Sequence, residues 1–143
     1  LNAAIESDPD LEDVEAFTRT STIMDRIAKG YTDNEIKIIA DYFSAQELFV
    51  GQQEIDLIKA SSGKKLHEKF CASCHEESGT SSEGDTGILA GQWQPYFLWT
   101  MADYLNGSRA MPKKMKIKLQ KMIKVSGHES LELLSNYYAN VTP

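Results

Sequence analysis

The stretch of sequence that decides the fold is Cys71-Ala72-Ser73-Cys74-His75. Two cysteines stand three positions apart, and a histidine follows the second one directly. The chain has 143 residues and only these two cysteines, so they cannot build a disulfide framework. The spacing C-x-x-C-H is instead the attachment signature of a c-type haem. The sequence therefore predicts one covalently bound haem c.

The chemistry of covalent attachment explains this spacing. One helical turn allows the thiols of Cys71 and Cys74 to reach the two vinyl groups of one porphyrin, and the imidazole of His75 then reaches the iron from the same side. Two other interpretations lack the residues they need. A zinc site requires two further ligands at matching spacing, and His67 and His128 do not provide it. A thioredoxin-like pair lies near a βαβ pattern, which this sequence does not contain.

The iron of an electron-carrying haem needs a second axial ligand, and methionine is the usual one because it raises the reduction potential. Four methionines follow the motif: Met101, Met111, Met115 and Met122. We predict Met111, because Pro112 follows it and holds an extended segment. Met115 is the alternative, since it can share a helical face with Met111. We expect His67 on a helix surface or in the core, and a second axial histidine there is the less favoured reading.

The rest of the chain carries helical patterns and no alternating strand. Helices are predicted after Asp8-Pro9, after a capping box at Thr32–Glu35, in a short piece around 54–60, from Gly63 into the cysteines, after Pro95, and after a second capping box at Ser126–Glu129. Residues 76–88 are polar and rich in Gly and Ser, which indicates a loop. We therefore predict an all-α fold.

Two parts of the chain align as a partial internal repeat. A shift of 95 positions brings Ile36, Ile39, Tyr42 and Phe43 onto Leu131, Leu134, Tyr137 and Tyr138, and a shift of 87 brings Met24 onto Met111. In the first copy the position equivalent to Cys71 would fall before residue 1, so this copy has no C-x-x-C-H and is either a reduced docking remnant or a fragment. We predict a haem-less helical half-repeat over residues 1–51, serving as a docking segment, and a haem domain over 52–143.

Composition and charge exclude several classes of function. The net charge of −6 argues against a chain-wide footprint for nucleic acid. There is no run of 18 apolar residues, so no membrane span is predicted, and no leader pattern begins the chain, as expected for a mature exported protein. Lysines crowd the segments after Met111 and before Cys71. They are either solvated helix faces or a positive rim that steers an acidic redox partner.

Four stretches carry a resemblance to a known family: STIMDRIAKGYTDNEIKIIADYF (21–43), GKKLHEKFCASCHEE (63–77), GILAGQWQPY (87–96) and MPKKMKIKL (111–119). They resemble the cytochrome subunit of flavocytochrome c sulfide dehydrogenase. The resemblance implies class I cytochrome folds in tandem, Cys71 and Cys74 as the thioether residues, His75 as the proximal ligand and Met111 as the distal ligand. It also implies a heterodimer in the periplasm with a flavoprotein, on which FAD and a redox-active cysteine pair oxidise sulfide.

We therefore expect a class I cytochrome c domain with one haem c, preceded by the half-repeat. Its function would be electron transfer from the FAD of the flavoprotein partner to a downstream acceptor, with no substrate chemistry of its own. A free periplasmic electron shuttle is the first alternative. A haem enzyme or ligand sensor with an open iron position is the second, and it would require that neither Met111 nor Met115 binds.

Overall fold

The computed structural model describes residues 23–47 and 49–143. All regular structure in these ranges is helical, which confirms the predicted all-α fold. The helices are α1 (Ile23–Ala28), α2 (Asp33–Ser44), α3 (Leu57–Phe70), α4 (Gln94–Asn106), α5 (Lys113–Ser126) and α6 (Ser130–Asn140). Two short 3-10 turns, Glu77–Gly79 and Glu83–Asp85, lie in the predicted loop. The helix predicted after Asp8-Pro9 lies outside the described residues.

The described chain divides into two compact units between Phe49 and Val50. The N-terminal unit contains α1 and α2, and the C-terminal unit contains α3 to α6. The roles predicted for the two parts, docking segment and haem domain, stay predictions.

The most extensive packing in the C-terminal unit joins α3 to α6. Gly63 is buried in the middle of α3, where a Cβ atom would collide with the backbone carbonyl of Leu133. Glycine costs about 1 kcal/mol relative to alanine inside a helix, and here its lack of a side chain allows the two backbones to approach closely. This approach brings Leu134, Tyr137 and Tyr138 of α6 into the core.

Polar contacts fix the start of α3 against α6. The Asp56 side chain accepts hydrogen bonds from the backbone N–H groups of Ile58 and Lys59, which caps the helix. The backbone N–H of Asp56 in turn donates to the side-chain oxygen of buried Asn136, at 2.9 Å. The capped end of α3 is therefore attached to α6 as well as closed on itself.

Helices α4 and α5 complete the core. Phe97 and Met101 are the buried residues of α4, and Leu119 and Met122 are those of α5. Helix α4 begins at Gln94 with Pro95 in its first turn, as predicted. Its own N-cap residue provides no side-chain hydrogen bond. Two glutamines supply the polar contacts instead: the Gln53 side chain accepts from the Gln94 N–H and donates to the Gln92 carbonyl, and the Gln94 side chain donates to the Glu54 carbonyl.

Two sequence predictions of helix boundaries are wrong. The short piece around 54–60 and the helix from Gly63 are one continuous helix, α3, because Gly63 is required for contact with α6 rather than for a break. The second capping box does not form, because Ser126 is the last residue of α5. Gly127 follows with a positive φ, and Ser130 donates to its carbonyl at the start of α6.

The N-terminal unit contains the capping box that the sequence predicted. The Thr32 side chain accepts from the Glu35 N–H, and the Glu35 carboxylate accepts from the Thr32 N–H at 2.8 Å. This exchange lowers the pKa of Glu35. Neither α1 nor α2 has a buried residue. Met24, which the sequence analysis aligned with a predicted ligand, is 62% exposed and therefore is not a core residue.

Candidate functional site

The C-x-x-C-H segment forms one turn directly after α3. The backbone N–H of Cys71 donates to His67 at the end of the helix, at 2.8 Å. The N–H groups of Cys74 and His75 both donate to the carbonyl of Cys71, at 3.1 and 3.0 Å. A single turn therefore carries both sulfur atoms and the imidazole, which is the arrangement that the spacing predicted.

The two cysteines have different surroundings. Cys71 is partly buried and packs against the apolar core, whereas Cys74 is exposed. Burial raises the pKa of the Cys71 thiol, while a hydrogen bond from Tyr138 and the charge of Lys118 act in the opposite direction. Neither cysteine forms a disulfide bond, so both sulfur atoms can form thioethers.

His75 has the protonation state that a metal ligand requires. Burial lowers the pKa of its imidazole, against a smaller opposing contribution from the Gly87 backbone, so the ring is neutral at pH 7 and a nitrogen lone pair is available to a metal. Its Nδ1 atom is buried and has no hydrogen-bond partner within bonding geometry. A buried polar atom without a partner is costly in a native structure, which marks this ring as a group with a role beyond packing.

The methionines occupy different positions around the core. Met111 is buried in the core cluster and lies in the extended segment before α5, with Pro112 as the N-cap residue of that helix. Met115 lies in the first turn of α5, is partly buried and packs against the same cluster. Met101 and Met122 lie in helix interiors and are buried. Met111 therefore stays the predicted distal ligand and Met115 the alternative.

Two cavities flank these candidate groups. One, of about 310 Å³, lies beside Met111 and is lined by Tyr104, Arg109, Lys116 and neighbouring residues. The other, of about 330 Å³, lies beside Cys74 and is lined by the polar loop that contains Ser81. The first cavity is positively charged, since it also includes Lys113.

These residues fit a covalent haem. Two thiols and a neutral imidazole share one turn, a methionine is buried in the same core cluster that Cys71 contacts, and the imidazole has a buried nitrogen without a partner. Cys71 and Cys74 would hold the porphyrin, and His75 and Met111 would hold its iron. Among the described residues, no group of three or more His, Cys, Asp and Glu side chains is placed to bind a metal ion.

A buried polar pair, His67 and Tyr138, was not predicted from the sequence. His67 is 3% exposed and therefore lies in the core, which is one of the two positions expected for it. Its Nδ1 atom lies 2.9 Å from the hydroxyl oxygen of Tyr138, which is 1% exposed. The only available signal was that His67 lies four residues before Cys71 and so shares its helical face.

Comparisons with known proteins support the same class. Residues 59–122 match the family described as cytochrome C oxidase, cbb3-type, subunit III. Over 134 residues the chain is 25% identical to cytochrome c4 of Pseudomonas aeruginosa, and the alignment covers 89% of this chain and 66% of that protein. The chain thus spans less than two thirds of the full length of this relative.

The fold, the turn and the two matches point to one class of protein. They support a class I c-type cytochrome whose role is electron transfer through haem c. No helix among the described residues is long and apolar enough to cross a membrane.

Proposed function

We propose that this chain is the electron-transfer subunit of a periplasmic flavocytochrome c sulfide dehydrogenase. It accepts electrons from the FAD of a flavoprotein partner and passes them through a single haem c to a downstream acceptor. The observation that carries the proposal is the turn after α3, where two thiols and a neutral imidazole lie together. The resemblance of residues 21–43, 63–77, 87–96 and 111–119 to that family supplies the particular complex.

The chain's own residues determine how the redox group is held. When bound, haem c supplies one-electron oxidation and reduction at its iron. Cys71 and Cys74 would hold it covalently, and His75 and Met111 would hold its iron. Burial keeps the His75 imidazole neutral, and a methionine ligand keeps the reduction potential high. With His75 and Met111 both bound to the iron, no substrate would bind there.

The exposed apolar side chains of the N-terminal unit support a permanent partner. Tyr42 and Phe43 of α2 are 61% and 68% exposed. Ile38, one helical turn before Tyr42, is 58% exposed. Single exposed apolar side chains are normal on a protein surface, whereas a contiguous exposed apolar patch marks a protein interaction site. We assign this surface to the flavoprotein.

Helix α5 supports an acidic partner on the downstream side. It contains the lysines 113, 114, 116, 118, 121 and 124 and no acidic residue. The charge of Lys118 acts on Cys71, so this positive surface lies close to the attachment turn. A positive surface beside a redox group accelerates encounter with an acidic protein.

A free periplasmic shuttle is the second candidate. It is favoured by the similarity to cytochrome c4, because that name describes a cytochrome and not a flavocytochrome complex. The two candidates differ in one property, which is whether the cytochrome has a fixed flavoprotein partner.

Native purification followed by absorbance measurement tests the proposal. We expect FAD and a second polypeptide to elute with the haem at a fixed ratio, and sulfide to reduce the haem in that fraction. A haem peak that elutes alone and does not respond to sulfide would favour the shuttle. A purified chain without covalent haem would contradict both candidates.

A pair of variants tests the docking surface in the same preparation. Tyr42→Ser with Phe43→Ser should release the flavoprotein while the haem spectrum stays unchanged. Ile117→Ser with Val125→Ser removes two similarly exposed apolar side chains from the C-terminal unit, at 57% and 60% exposure, and should leave the complex intact. Equal release by both pairs would contradict the assignment of the surface.

A further inference from the structure

The side chain of Arg109 folds back along helix α4, just after the chain leaves that helix. Gly107 ends α4 with a left-handed φ of 77°, and the Arg109 backbone N–H then donates to the Asp103 carbonyl at 3.2 Å. The guanidinium lies over the Tyr104 ring, 5.2 Å from its centroid. Its Nη1 atom donates to the Thr100 hydroxyl at 3.5 Å. Arg109 is therefore joined to α4 through its backbone, through a ring face and through a hydroxyl.

The contact between Arg109 and Tyr104 suits the chemistry of both groups. A guanidinium is planar and weakly hydrated, so it stacks on an aromatic face and is attracted by the charge distribution of the ring. Arg109, Tyr104 and Thr100 are all partly buried, and partial removal from water strengthens such a contact. Tyr104 also packs against the core cluster, so the ring that holds the guanidinium is itself held.

Met111 lies two residues after this attachment point, between two helices. Pro112 restricts the residue before it to an extended backbone, and the Pro112 carbonyl accepts from the Lys116 N–H at 3.0 Å in the first turn of α5. Ala110 alone separates Met111 from Arg109. The Met111 side chain, which is 9% exposed, is therefore placed by α4 on one side, through Arg109, and by α5 on the other, through Pro112.

We propose that Arg109 is a positioning residue for Met111: its attachment to α4 fixes the short segment before the methionine, and so holds the thioether where it can bind the haem iron. The inference rests on the proposed function, in which Met111 is an axial ligand of haem c. Groups that orient a metal ligand matter to metal binding, and their loss typically weakens it about 10- to 100-fold. Arg109 acts through Met111 and not on the iron itself.

Imidazole titration of the oxidised, haem-bound chain tests the positioning role. Added imidazole competes with the methionine for the iron, so its apparent affinity rises when the methionine is held less firmly. We expect Arg109→Gln to raise the apparent imidazole affinity about tenfold, at the lower end for a group that orients a ligand. Met111→Ala, which removes the competing ligand, should raise it further. Absorbance measures imidazole binding through the loss of the iron–methionine band.

Lys116→Gln is the matched control for charge. Lys116 lines the same cavity beside Met111 as Arg109 does, and it is exposed, so this variant removes one positive charge without removing the attachment to α4. It should leave the imidazole affinity unchanged. Tyr104→Phe keeps the ring face under the guanidinium and should also match the wild type, whereas Tyr104→Leu should resemble Arg109→Gln. An equal rise in Lys116→Gln and Arg109→Gln would overturn the inference, because charge alone would then explain it.

A double variant separates positioning from a direct effect on the haem. In Met111→Ala no methionine competes, so the addition of Arg109→Gln should leave the imidazole affinity unchanged. A tenfold rise in this background would overturn the positioning role. Unchanged affinity in Arg109→Gln alone would overturn the inference and leave Met111 as the ligand. Unchanged affinity in Met111→Ala would contradict the ligand assignment together with the inference.

Discussion

Helices α6 and α2 carry the same sequence pattern and have opposite environments. In α6, Leu134, Tyr137 and Tyr138 are 3%, 5% and 1% exposed. Their counterparts in α2 under the repeat are Ile39, Tyr42 and Phe43, which are 39%, 61% and 68% exposed. An apolar face at helical spacing is therefore common to both helices, and burial is not.

The difference follows from α3. In the C-terminal unit, α3 presents Gly63 at its contact with Leu133, and the close approach buries the aromatic face of α6. In the described part of the N-terminal unit, neither α1 nor α2 has a buried residue, so no helix there covers the apolar face of α2. The apolar pattern therefore specifies a helix face that can be buried, while a second helix with a glycine at the contact position determines whether that face is buried.

The largest effect should come from the two methionines that the repeat aligns. Met111 is 9% exposed and Met24 is 62% exposed. We expect Met111→Ala to abolish the absorption band of iron–methionine bonding and to lower the reduction potential, while Met24→Ala leaves both unchanged. Absorbance and redox titration of the haem-bound chain provide the measurement. Loss of the band in Met115→Ala alone would move the assignment to Met115.

Breaking the contact between α3 and α6 should be the next largest effect. Gly63→Val places a branched side chain against the Leu133 carbonyl and within 2.8 Å of the Tyr137 Cβ. We expect a loss of about 4 kcal/mol in the free energy of unfolding, at the upper end for a single substitution. Ser61→Val, on an exposed position of the same helix, should cost only about 0.5 kcal/mol. Urea denaturation followed by far-UV circular dichroism checks both, and equal costs would show that the close approach is not required.

A matched pair of truncations sharpens the comparison of burial. Leu134→Ala removes a core side chain and should cost about 3 kcal/mol. Ile39→Ala, at the aligned position of α2, should cost less than about 1 kcal/mol in the isolated chain, because the side chain is already partly in water. Urea midpoints of the two variants give the comparison. A similar loss for both would mean that the α2 face is buried in solution by a contact within the chain or by another copy.

The smallest effects should come from the two helix caps. Removing the cap of α3 with Asp56→Ala, or that of α2 with Thr32→Ala, should cost about 1 kcal/mol each. Because α3 lies in the core, the first loss should lower global stability in urea. The second should appear only as faster amide hydrogen exchange in α2. Global destabilisation by Thr32→Ala would indicate that the two units unfold together.

The local features that the sequence predicted correctly depend on short stretches of chain. The turn of Cys71, Cys74 and His75, the capping box at Thr32 and the start of α4 at Pro95 each involve residues within one or two helical turns. The failures involve contacts between distant residues. Gly63 looked like a helix break because its partner, Leu133, is 70 positions away, and Ser126 looked like a cap because the length of α5 was not visible from the local pattern.

By itself the sequence determined the all-helical class and the two apolar helix faces, and it predicted the covalent haem chemistry, because helical periodicity and the C-x-x-C-H spacing are local properties. The tertiary structure alone decided which of those faces is buried, that Cys71 and Cys74 differ in their surroundings, and that His67 meets Tyr138. These outcomes depend on the approach of α3 to α6, where side chains 71 positions apart come within hydrogen-bonding distance. A periodic pattern specifies which face of a helix is apolar, and only the packing partner specifies what that face contacts.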